Sequence, residues 1–439
     1  MMKQLQNQSG ASVFQYALLP QAPLPAETIA GNGKATLLIE EMLEKRSQVD
    51  LTEGDIVQTG QKLAPFKTSD AYVISSVTGK ISAIYPYPGD FGKNFTAVDI
   101  EVGASCEVTS AQAFSDDQMA APIEDLEPTL EVLQAYFADA PGKPPLHLLG
   151  HPDRTIHTIV VSGVDTDLLV STNQYAIRTE IHAIAKGIEV LKAAAAPEKV
   201  AIAVPRDLIA GFGHTGADEL KAVPPDYPSA QPKLVLYHAF GVEVPAEKSC
   251  ADVGYAFFSA ESVAAIGKAY ETGQMPVEKL VTLIDKQGRV KVVTARLGTP
   301  VGAILTAAGI ATGDRDRLIL GGPMTGTAIY DEKLVVRADT DAVMVQDAAD
   351  VTLVSDYSCI NCGECVRACP TRIQVNMLVR FLEAGQYEDG AELYDLHSCV
   401  DCGLCSYVCV ARIPIYQYIR LAKYELARVS AVAEASDES

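Results

Sequence analysis

The sequence predicts a multidomain protein of the α+β class, and three of its stretches predict the parts. Short apolar strands broken by glycine turns occupy residues 34–102, and strands alternate with helices over residues 146–273. Two cysteine-rich runs, each leading to a helical segment, follow residue 351. A chain of 439 residues is long enough for about three domains. Each stretch has the periodicity of a separate module.

The first hundred residues divide into an arm and a compact β module. Residues 1–30 are rich in Gln, Ala and Pro and lack sustained periodicity, which predicts an arm lying on another surface. Residues 31–103 contain Gly54-Asp-Ile-Val-Gln-Thr-Gly-Gln61 and Val77-Thr-Gly-Lys-Ile81, which resemble the barrel-sandwich hybrid of biotinyl and lipoyl domains. Such carrier domains present a lysine at a hairpin tip, usually between methionines. Lys67 lies in Pro-Phe-Lys-Thr instead, so a structural or docking module is predicted.

A linker and a Rossmann-like α/β domain are predicted next. Residues 104–145 are acidic and alanine-rich, with a helix over Leu130 to Ala138. Residues 146–275 alternate strands with helices, which is typical of a parallel sheet. The predicted strands are 158–163, 199–204 and 233–237, and the predicted helices are 175–195 and 262–272. Ligands of such sheets bind in loops at the carboxyl ends of strands, here 162–167 and 205–216.

A β-grasp (SLBB-like) module is predicted over residues 276–350. Apolar strands at 279–284 and 290–294 flank a Gln-Gly turn, and Thr299-Pro300 opens a helix. The segment Gly321-Gly-Pro-Met324 lacks the lysine and the helix of a phosphate-binding loop. A tight turn is therefore predicted there.

Residues 351–427 carry the most specific signal. Two runs share the spacing C-x2-C-x2-C-x3-C, in which three cysteines close on one [4Fe-4S] cluster and the fourth reaches the other cluster. The spacing predicts two clusters, one held by Cys359, Cys362, Cys365 and Cys409, and the other by Cys399, Cys402, Cys405 and Cys369. Electron transfer is the function that this domain predicts.

The surroundings of the two runs predict a helical dicluster domain of the ferredoxin type. Pro370 follows the first run as the bacterial pattern expects, whereas Val410 follows the second. Helices are predicted over 373–384 and 415–427, and residues 428–439 are predicted to form a disordered acidic tail.

Zinc and disulfides are the other uses that eight cysteines suggest. Two C-x2-C pairs satisfy a tetrahedral zinc ion, so the third and fourth cysteines of each run would be surplus. Structural disulfides require an oxidising compartment, and the first residues lack the apolar core of a signal peptide. Cys106 and Cys250 lie outside the runs and are predicted to be buried free thiols.

Composition and charge exclude further classes of partner and location. A net charge of −21 argues against nucleic acid as a partner, since phosphates would be repelled. Uncharged apolar runs of the ~18 residues that span a membrane are absent from the sequence, so a soluble protein is predicted. Reduced thiols fit a cytoplasmic location. No catalytic residue is assigned, and His151, His157 and His214 are expected to have surface or packing roles.

The order of modules resembles the RnfC family, which belongs to the Rnf-type ion-translocating electron transport complexes. The motifs that carry the resemblance are the two cysteine runs, Gly54–Gln61, Val242–Pro245, Ala251–Gly254, Leu297–Pro300 and Leu320–Met324. The resemblance implies an α/β domain like the NADH-binding flavoprotein subunit of respiratory complex I. It also implies other subunits of a membrane-bound redox complex as partners, a ferredoxin or other redox protein, and a peripheral position on the inner face of the cell membrane.

Three segments depart from the family pattern where flavin mononucleotide (FMN) and NADH would meet backbone amides. Residues 148–157 hold one glycine in place of a Gly-Gly-Ala-Gly-Phe-Pro-type loop. Residues 164–168 replace a Glu-Cys-Glu-Pro-Tyr stretch, and residues 227–233 end in Pro232-Lys233. Because glycine permits close approach to a phosphate and proline removes a donor, no FMN or NADH residue is assigned.

Three functional hypotheses follow. The favoured one is an iron-sulfur relay whose α/β domain has lost nucleotide binding and serves as a scaffold. The second is an FMN-containing subunit that exchanges electrons with NAD(H) through a remodelled loop. The third is a structural protein braced by its clusters, which is disfavoured because one cluster would suffice as a brace.

Overall fold

The computed structural model describes residues 4–6, 12–20, 22–31, 33–41, 50–66, 71–89, 93–103, 123, 126–152, 154–211 and 215–437. Within these ranges the strands form five sheets. Lys67, Cys106 and His214 lie outside the described residues.

The N-terminal β module is built from short antiparallel strands around an apolar core. Alternate residues of its first long strand, Ala35, Leu37 and Ile39, are buried, as expected for a strand with one face on a core. Strands β4, β9, β8 and β5 form one sheet in that order, and β6 pairs with β7. The strands of this region are β1 Gln4–Gln6, β2 Ser12–Phe14, β3 Glu27–Ile29, β4 Lys34–Ile39, β5 Ile56–Val57, β6 Lys62–Leu63, β7 Val73–Ile74, β8 Gly79–Pro88 and β9 Asn94–Val102.

The predicted parallel sheet is confirmed. Four strands lie in the order β12-β11-β10-β13, and every neighbouring pair is parallel. Helices α3 and α5 pack against the sheet through apolar residues that include Ile184, Ile188 and Val263. The elements are α1 Leu130–Phe137, β10 Thr158–Ser162, α2 Thr172–Thr179, α3 Ile181–Ala195, β11 Lys199–Pro205, β12 Glu219–Val223, α4 Pro232–Val235, β13 Tyr255–Ser259 and α5 Ala260–Thr272.

Two predictions in this domain are wrong. The single helix over 175–195 is two helices that meet at Glu180, whose backbone leaves the helical region while its carboxylate pairs with Lys268. The strand over 233–237 is instead helix α4 followed by a π-helical turn at Leu236–Phe240. Pro232 stands in the first turn of α4, where its fixed φ favours a helix. The third parallel strand is β12, which precedes that helix.

A mixed sheet of six strands follows, in the order β17-β16-β18-β14-β15-β3. The predicted strand pair is confirmed as β14 and β15, which are antiparallel. Strand β3 from the N-terminal arm pairs with β15, and Tyr16 of the same arm donates its backbone N–H to the carbonyl of Pro225. The arm therefore lies on both the six-stranded sheet and the α/β domain. The remaining elements are β14 Glu278–Ile284, β15 Val290–Arg296, α6 Val301–Ala307, β16 Arg317–Leu320, β17 Thr327–Ile329 and β18 Ala342–Gln346.

The C-terminal region is helical. Its elements are α7 Glu364–Ala368, α8 Val375–Glu383, α9 Tyr387–Leu393, α10 Leu404–Tyr407 and α11 Ile415–Asp437. The disordered tail predicted from 428 is wrong as far as Asp437, because α11 continues. The sequence there is rich in alanine and free of Gly and Pro, which favours helix. Among the described residues, none of the helices combines the length and apolar character that crossing a bilayer requires.

A buried ion pair joins the α/β domain to the six-stranded sheet. The ammonium of Lys279 on β14 is fully buried and binds the carboxylate of Glu261 at the start of α5. Lys279 also lies 2.9 Å from the Asp341 carboxylate, and Glu261 accepts the backbone N–H of Leu280 at 2.6 Å. Burial raises the pKa of Glu261 to about 7, although the charge of Lys279 opposes that shift. Removing one partner would leave the other charged group without compensation.

We expect Lys279→Met to destabilise the chain by about 3–5 kcal/mol, because Glu261 would keep its burial and lose its cation. The matched control is Lys291→Met on the neighbouring strand, whose exposed pair with Glu27 should be worth less than about 1 kcal/mol. Anaerobic urea denaturation of both variants measures the difference. Equal midpoints for the two variants would contradict a stabilising role for the buried pair.

Candidate iron-sulfur site

Each cysteine run folds as a loop that turns into a short helix at a glycine. Gly363 precedes α7 with φ +78°, and Gly403 precedes α10 with φ +72°. Residues other than glycine rarely adopt this left-handed conformation. The first amides of a helix have no partner within that helix, so those that follow each glycine are available to the cysteine sulfurs of the same loop.

The structure brings together three cysteines of the first run and the last cysteine of the second run. Cys359, Cys362, Cys365 and Cys409 line one cavity. The rest of its lining is mainly apolar, including Val379 from α8. Burial, and to a smaller extent the other three thiols, raise the pKa of the Cys365 thiol to about 11.

The complementary set also converges. Burial raises the pKa of Cys402 to about 12, and the neighbouring thiols Cys399 and Cys369 add to the shift. The Cys405 pKa is raised well above its usual value by burial and by the same two neighbours together with Cys402. All eight cysteines of the runs are free thiols rather than disulfides. Each set thus joins three cysteines of one run to the last cysteine of the other.

The donor sets fit iron-sulfur clusters. Thiolate sulfur is the ligand that such clusters take, and the four sulfurs of the first set line one mainly apolar cavity, as a cubane requires. The backbone N–H of Ile413 donates to the Cys409 sulfur at 3.4 Å, and that of Asp401 donates to the Cys399 sulfur at 3.4 Å. Such bonds favour the thiolate that a cluster requires and bear on its potential.

The two loops differ sharply in burial, although their sequences share one spacing. Cys362 is exposed, whereas its counterpart Cys402 is buried. The residues after the first cysteine of each run follow the same trend, since Ile360 is 65% exposed and Val400 is 8% exposed. The first loop therefore faces solvent, and the second faces the rest of the protein.

The α/β domain and the arm cover the second loop. The hydroxyl of Tyr227 donates to the carbonyl of Cys402 at 2.5 Å. Burial strongly raises the pKa of Tyr227, which keeps its hydroxyl protonated as a donor. Local sequence predicts no role for Tyr227, and its place in a segment that departs from the family pattern is the one available signal. An apolar cluster surrounds the bond, formed by Phe14, Leu168, Tyr227, Leu234, Val400, Cys402 and Leu404.

Two lysines bind the backbone at the start of the same loop. Lys423 on α11 donates to the Cys399 carbonyl at 3.0 Å and pairs with Asp401 at 2.6 Å. Lys233 on α4 donates to the His397 carbonyl at 3.3 Å, and burial lowers its pKa. The second loop is therefore anchored to α4 and α11 through backbone carbonyls.

Asp167 connects the α/β domain to the turn at Gly321-Gly322. Its buried carboxylate accepts the backbone N–H of Met324 at 3.1 Å, the N–H of Thr325 at 2.7 Å and the Thr325 hydroxyl at 2.6 Å. A Cβ on Gly322 would collide with this carboxylate, which explains the glycine. The segment is a turn closed by a carboxylate, in agreement with the turn that the sequence predicts in preference to a phosphate-binding loop.

A second carboxylate occupies the helix start that follows β10. Asp165 is buried and accepts the backbone N–H of Asn173 at 2.7 Å and that of Gln174 at 3.2 Å. Burial raises its pKa to about 6, and these two bonds oppose the shift. The start of α2, at the carboxyl edge of the sheet, is where a phosphate would otherwise bind. The chain fills this position with its own carboxylate.

Comparisons with known proteins place the cysteine runs and most of the chain among known relatives. The family described as a 4Fe-4S dicluster domain matches residues 354–413. The RnfC protein of the ion-translocating oxidoreductase complex of Pseudomonas aeruginosa is 28% identical over 346 residues, which cover 76% of this chain and 45% of the relative. The corresponding protein of Pasteurella multocida is 27% identical over 402 residues, which cover 89% and 46%. The chain spans about half the length of these relatives.

Solved structures are similar to this chain in part. An NAD+-reducing [NiFe]-hydrogenase in the H2-reduced state aligns with a TM-score of 0.42 and 14% identity, covering 72% of this chain and 68% of the hydrogenase chain.

We expect Asp167→Ala to loosen the Met324-Thr325 turn, because three donors from that turn would lose their acceptor. Amide hydrogen exchange at residues 322–326 should accelerate by at least about tenfold. Asp331→Ala is the control, since among the described residues the Asp331 carboxylate accepts only the neighbouring Lys333 amide, in an exposed turn. Unchanged exchange in Asp167→Ala would show that the carboxylate does not hold the turn.

Proposed function

We propose that this chain, a relative of the RnfC proteins of ion-translocating oxidoreductase complexes, is an iron-sulfur electron-transfer subunit that relays electrons through two [4Fe-4S] clusters. The observation that carries the proposal is that each run contributes its last cysteine to the set formed by the other run. Each set of converging thiols combines three cysteines of one run with the last cysteine of the other. This is the arrangement of a dicluster ferredoxin, and the match to the 4Fe-4S dicluster domain family agrees with it.

The ligand sets are part of the proposal. The shared cavity supports the first set, and the mutual electrostatic effects of the thiols support the second. Because each run contributes to both sets, the two sites lie side by side, which suits transfer from one to the other. Cys359, Cys362, Cys365 and Cys409 would hold the first cluster, and Cys399, Cys402, Cys405 and Cys369 the second.

The chain's own residues would tune and protect the two sites. A [4Fe-4S] cluster accepts and releases single electrons. Around the second set, the chain excludes water with Tyr227 and Val400, and Lys423 places a positive charge next to Cys399. Around the first set, Val379 forms part of the apolar wall while Cys362 stays open to solvent. Differences in burial and nearby charge of this kind separate the potentials of two clusters.

The relay is proposed without a flavin. The amides at the start of α2 are satisfied by Asp165, and those of the turn at 324–325 are satisfied by Asp167. These donors would otherwise suit the phosphates of FMN or NADH. The α/β domain would then act as a scaffold for the second cluster.

One observation favours the second candidate, an FMN-containing subunit that exchanges electrons with NAD(H). The second cysteine loop packs against segments 164–168 and 227–234, which follow strands of the parallel sheet. Sheets of this kind bind their ligands at such carboxyl ends. A flavin held there would lie next to the second set of cysteines.

The modules and setting are proposed as the sequence predicts them. The short antiparallel strands of the N-terminal module, which lie in the order β4-β9-β8-β5, support a barrel-sandwich hybrid. We further propose that the chain sits on the cytoplasmic face of a membrane through partner subunits of an Rnf-like complex and meets a ferredoxin or other redox protein.

We assign 1–30 to an arm, 31–103 to the barrel-sandwich hybrid, 104–145 to a linker, 146–275 to the α/β domain, 276–350 to a β-grasp (SLBB-like) module and 351–427 to the dicluster domain.

We expect Cys365→Ser and Cys405→Ser each to damage one cluster, because each removes a thiolate from a different set. Iron content should fall by about half, and one of two low-temperature electron paramagnetic resonance (EPR) signals of the reduced protein should be lost or altered. Cys250→Ser is the control, a half-buried free thiol outside both sets. If either ligand variant kept both signals and full iron, its assignment would be wrong.

An anaerobic NADH titration separates the two candidate functions. We expect dithionite to reduce both clusters and NADH to reduce neither, with no flavin retained after incubation with FMN, since Asp165 and Asp167 occupy the amide donors. EPR follows the clusters and fluorescence follows the flavin. Retention of FMN together with cluster reduction by NADH would establish the second candidate instead.

A further inference from the structure

We infer that the chain exchanges electrons with a separate, acidic redox protein at the first cluster, through a docking face formed by residues 353–360, Val410 and the arginines Arg367, Arg380 and Arg412. This inference rests on the proposed function and names the partner class and the site of contact. We call this surface the cluster 1 face.

The two cysteine loops offer an internal comparison. At two matching pairs of positions, Cys362 with Cys402 and Ile360 with Val400, the residue of the first loop is exposed and that of the second is buried. The third cysteines differ the other way, since Cys365 is buried and Cys405 is half-buried. The arm and the α/β domain cover the second loop through Phe14 and Tyr227. Of the eight thiols, which all lie within the described residues, Cys362 alone is exposed. A protein that approaches from solvent therefore reaches the first cluster more closely than the second.

The cluster 1 face is apolar at its centre. Residues 351–363 have no regular secondary structure and lead into the first run. Tyr357 is 79% exposed, and Ile360 and Val410 also line the cavity around the first cysteine set. Small redox interfaces combine an apolar centre of this kind with a charged rim. Five large apolar side chains in and near this segment are more than half exposed: Leu353, Val354, Tyr357, Ile360 and Val410.

The rim carries three arginines, although the chain as a whole is strongly acidic. Arg367 donates to the Cys362 carbonyl at 3.0 Å, and Arg380 donates to the Cys359 carbonyl at 3.5 Å. Arg412 is exposed, and its backbone carbonyl accepts the N–H of Ser355 in the cluster 1 face. The acidic residues of the same segments are Asp356, Glu364 and Glu383, and Glu364 is paired with Arg367.

An acidic partner meets less repulsion at this face than over the rest of the surface. The rim segments carry three guanidinium groups and three carboxylates, whereas the chain has 56 acidic and 35 basic residues in all. A cluster with four thiolates is itself negative, and the arginines offset that charge where a partner approaches. An acidic one-electron protein would be steered to this face and repelled by most of the remaining surface. The reaction moves one electron from the reduced chain to the partner's oxidised cofactor, and no bond forms or breaks.

Stopped-flow mixing of the dithionite-reduced full chain with oxidised flavodoxin, an acidic electron carrier, tests the inference. We expect Arg412→Glu to lower the second-order rate constant by about tenfold at low ionic strength, and the difference to shrink above roughly 0.5 M salt. Tyr357→Glu should also slow the reaction. With the basic cytochrome c as oxidant, Arg412→Glu should instead speed it.

Arg315→Glu and Tyr330→Glu are the matched controls, since both positions are exposed and the substitutions change the net charge by the same amounts. They should alter the flavodoxin rate by less than about twofold. Equal effects of Arg412→Glu and Arg315→Glu would overturn the docking face. EPR of every variant verifies that both clusters are present, and oxidation by a neutral quinone should be the same in all. Absence of both clusters from the unmodified chain would overturn the proposed function itself.

Discussion

The hydrogen bond from the Tyr227 hydroxyl to the Cys402 carbonyl is the point on which the assembly of this chain depends. It fixes the second cysteine loop to the α/β domain inside an apolar cluster, where an unpaired carbonyl would be costly. Asp167 lies close by and ties the same domain to the turn at 322–325. Three modules that are distant in sequence thus meet around one loop, and the arm covers them with Phe14.

The segments that depart from the family pattern have structural roles in this chain. Asp165 caps α2, Asp167 closes a turn and Tyr227 holds the second cysteine loop. Each is a buried polar group whose partners include backbone atoms of the chain itself. In the function that we propose, the residues that satisfy these donors also make the contacts by which the α/β domain would act as a scaffold.

Much of the fold and of the cysteine site could be predicted from local sequence patterns. The contacts between modules could not, because they join residues that are distant in sequence. The spacing of the cysteines alone predicts which thiols belong to each of the two sets. The alternation of strands and helices predicts the parallel sheet. The segment at 233–237 resembles a strand by composition, yet Pro232 starts a helix there and β12 takes the sheet position. The roles of Tyr227 and Asp167 depend on residues more than 150 positions away, which no local pattern reports.

Gly403 shows how far the two cysteine runs have diverged in what they tolerate. A side chain at Gly403 would collide with the carbonyl of Met324, whereas at Gly363 the nearest atoms belong to the flexible end of the Arg367 side chain. Both positions need a left-handed backbone, but only Gly403 is also enclosed by a neighbouring module. The repeated motif therefore has an inner and an outer half, and a side chain in place of the glycine would be tolerated less in the inner half than in the outer half.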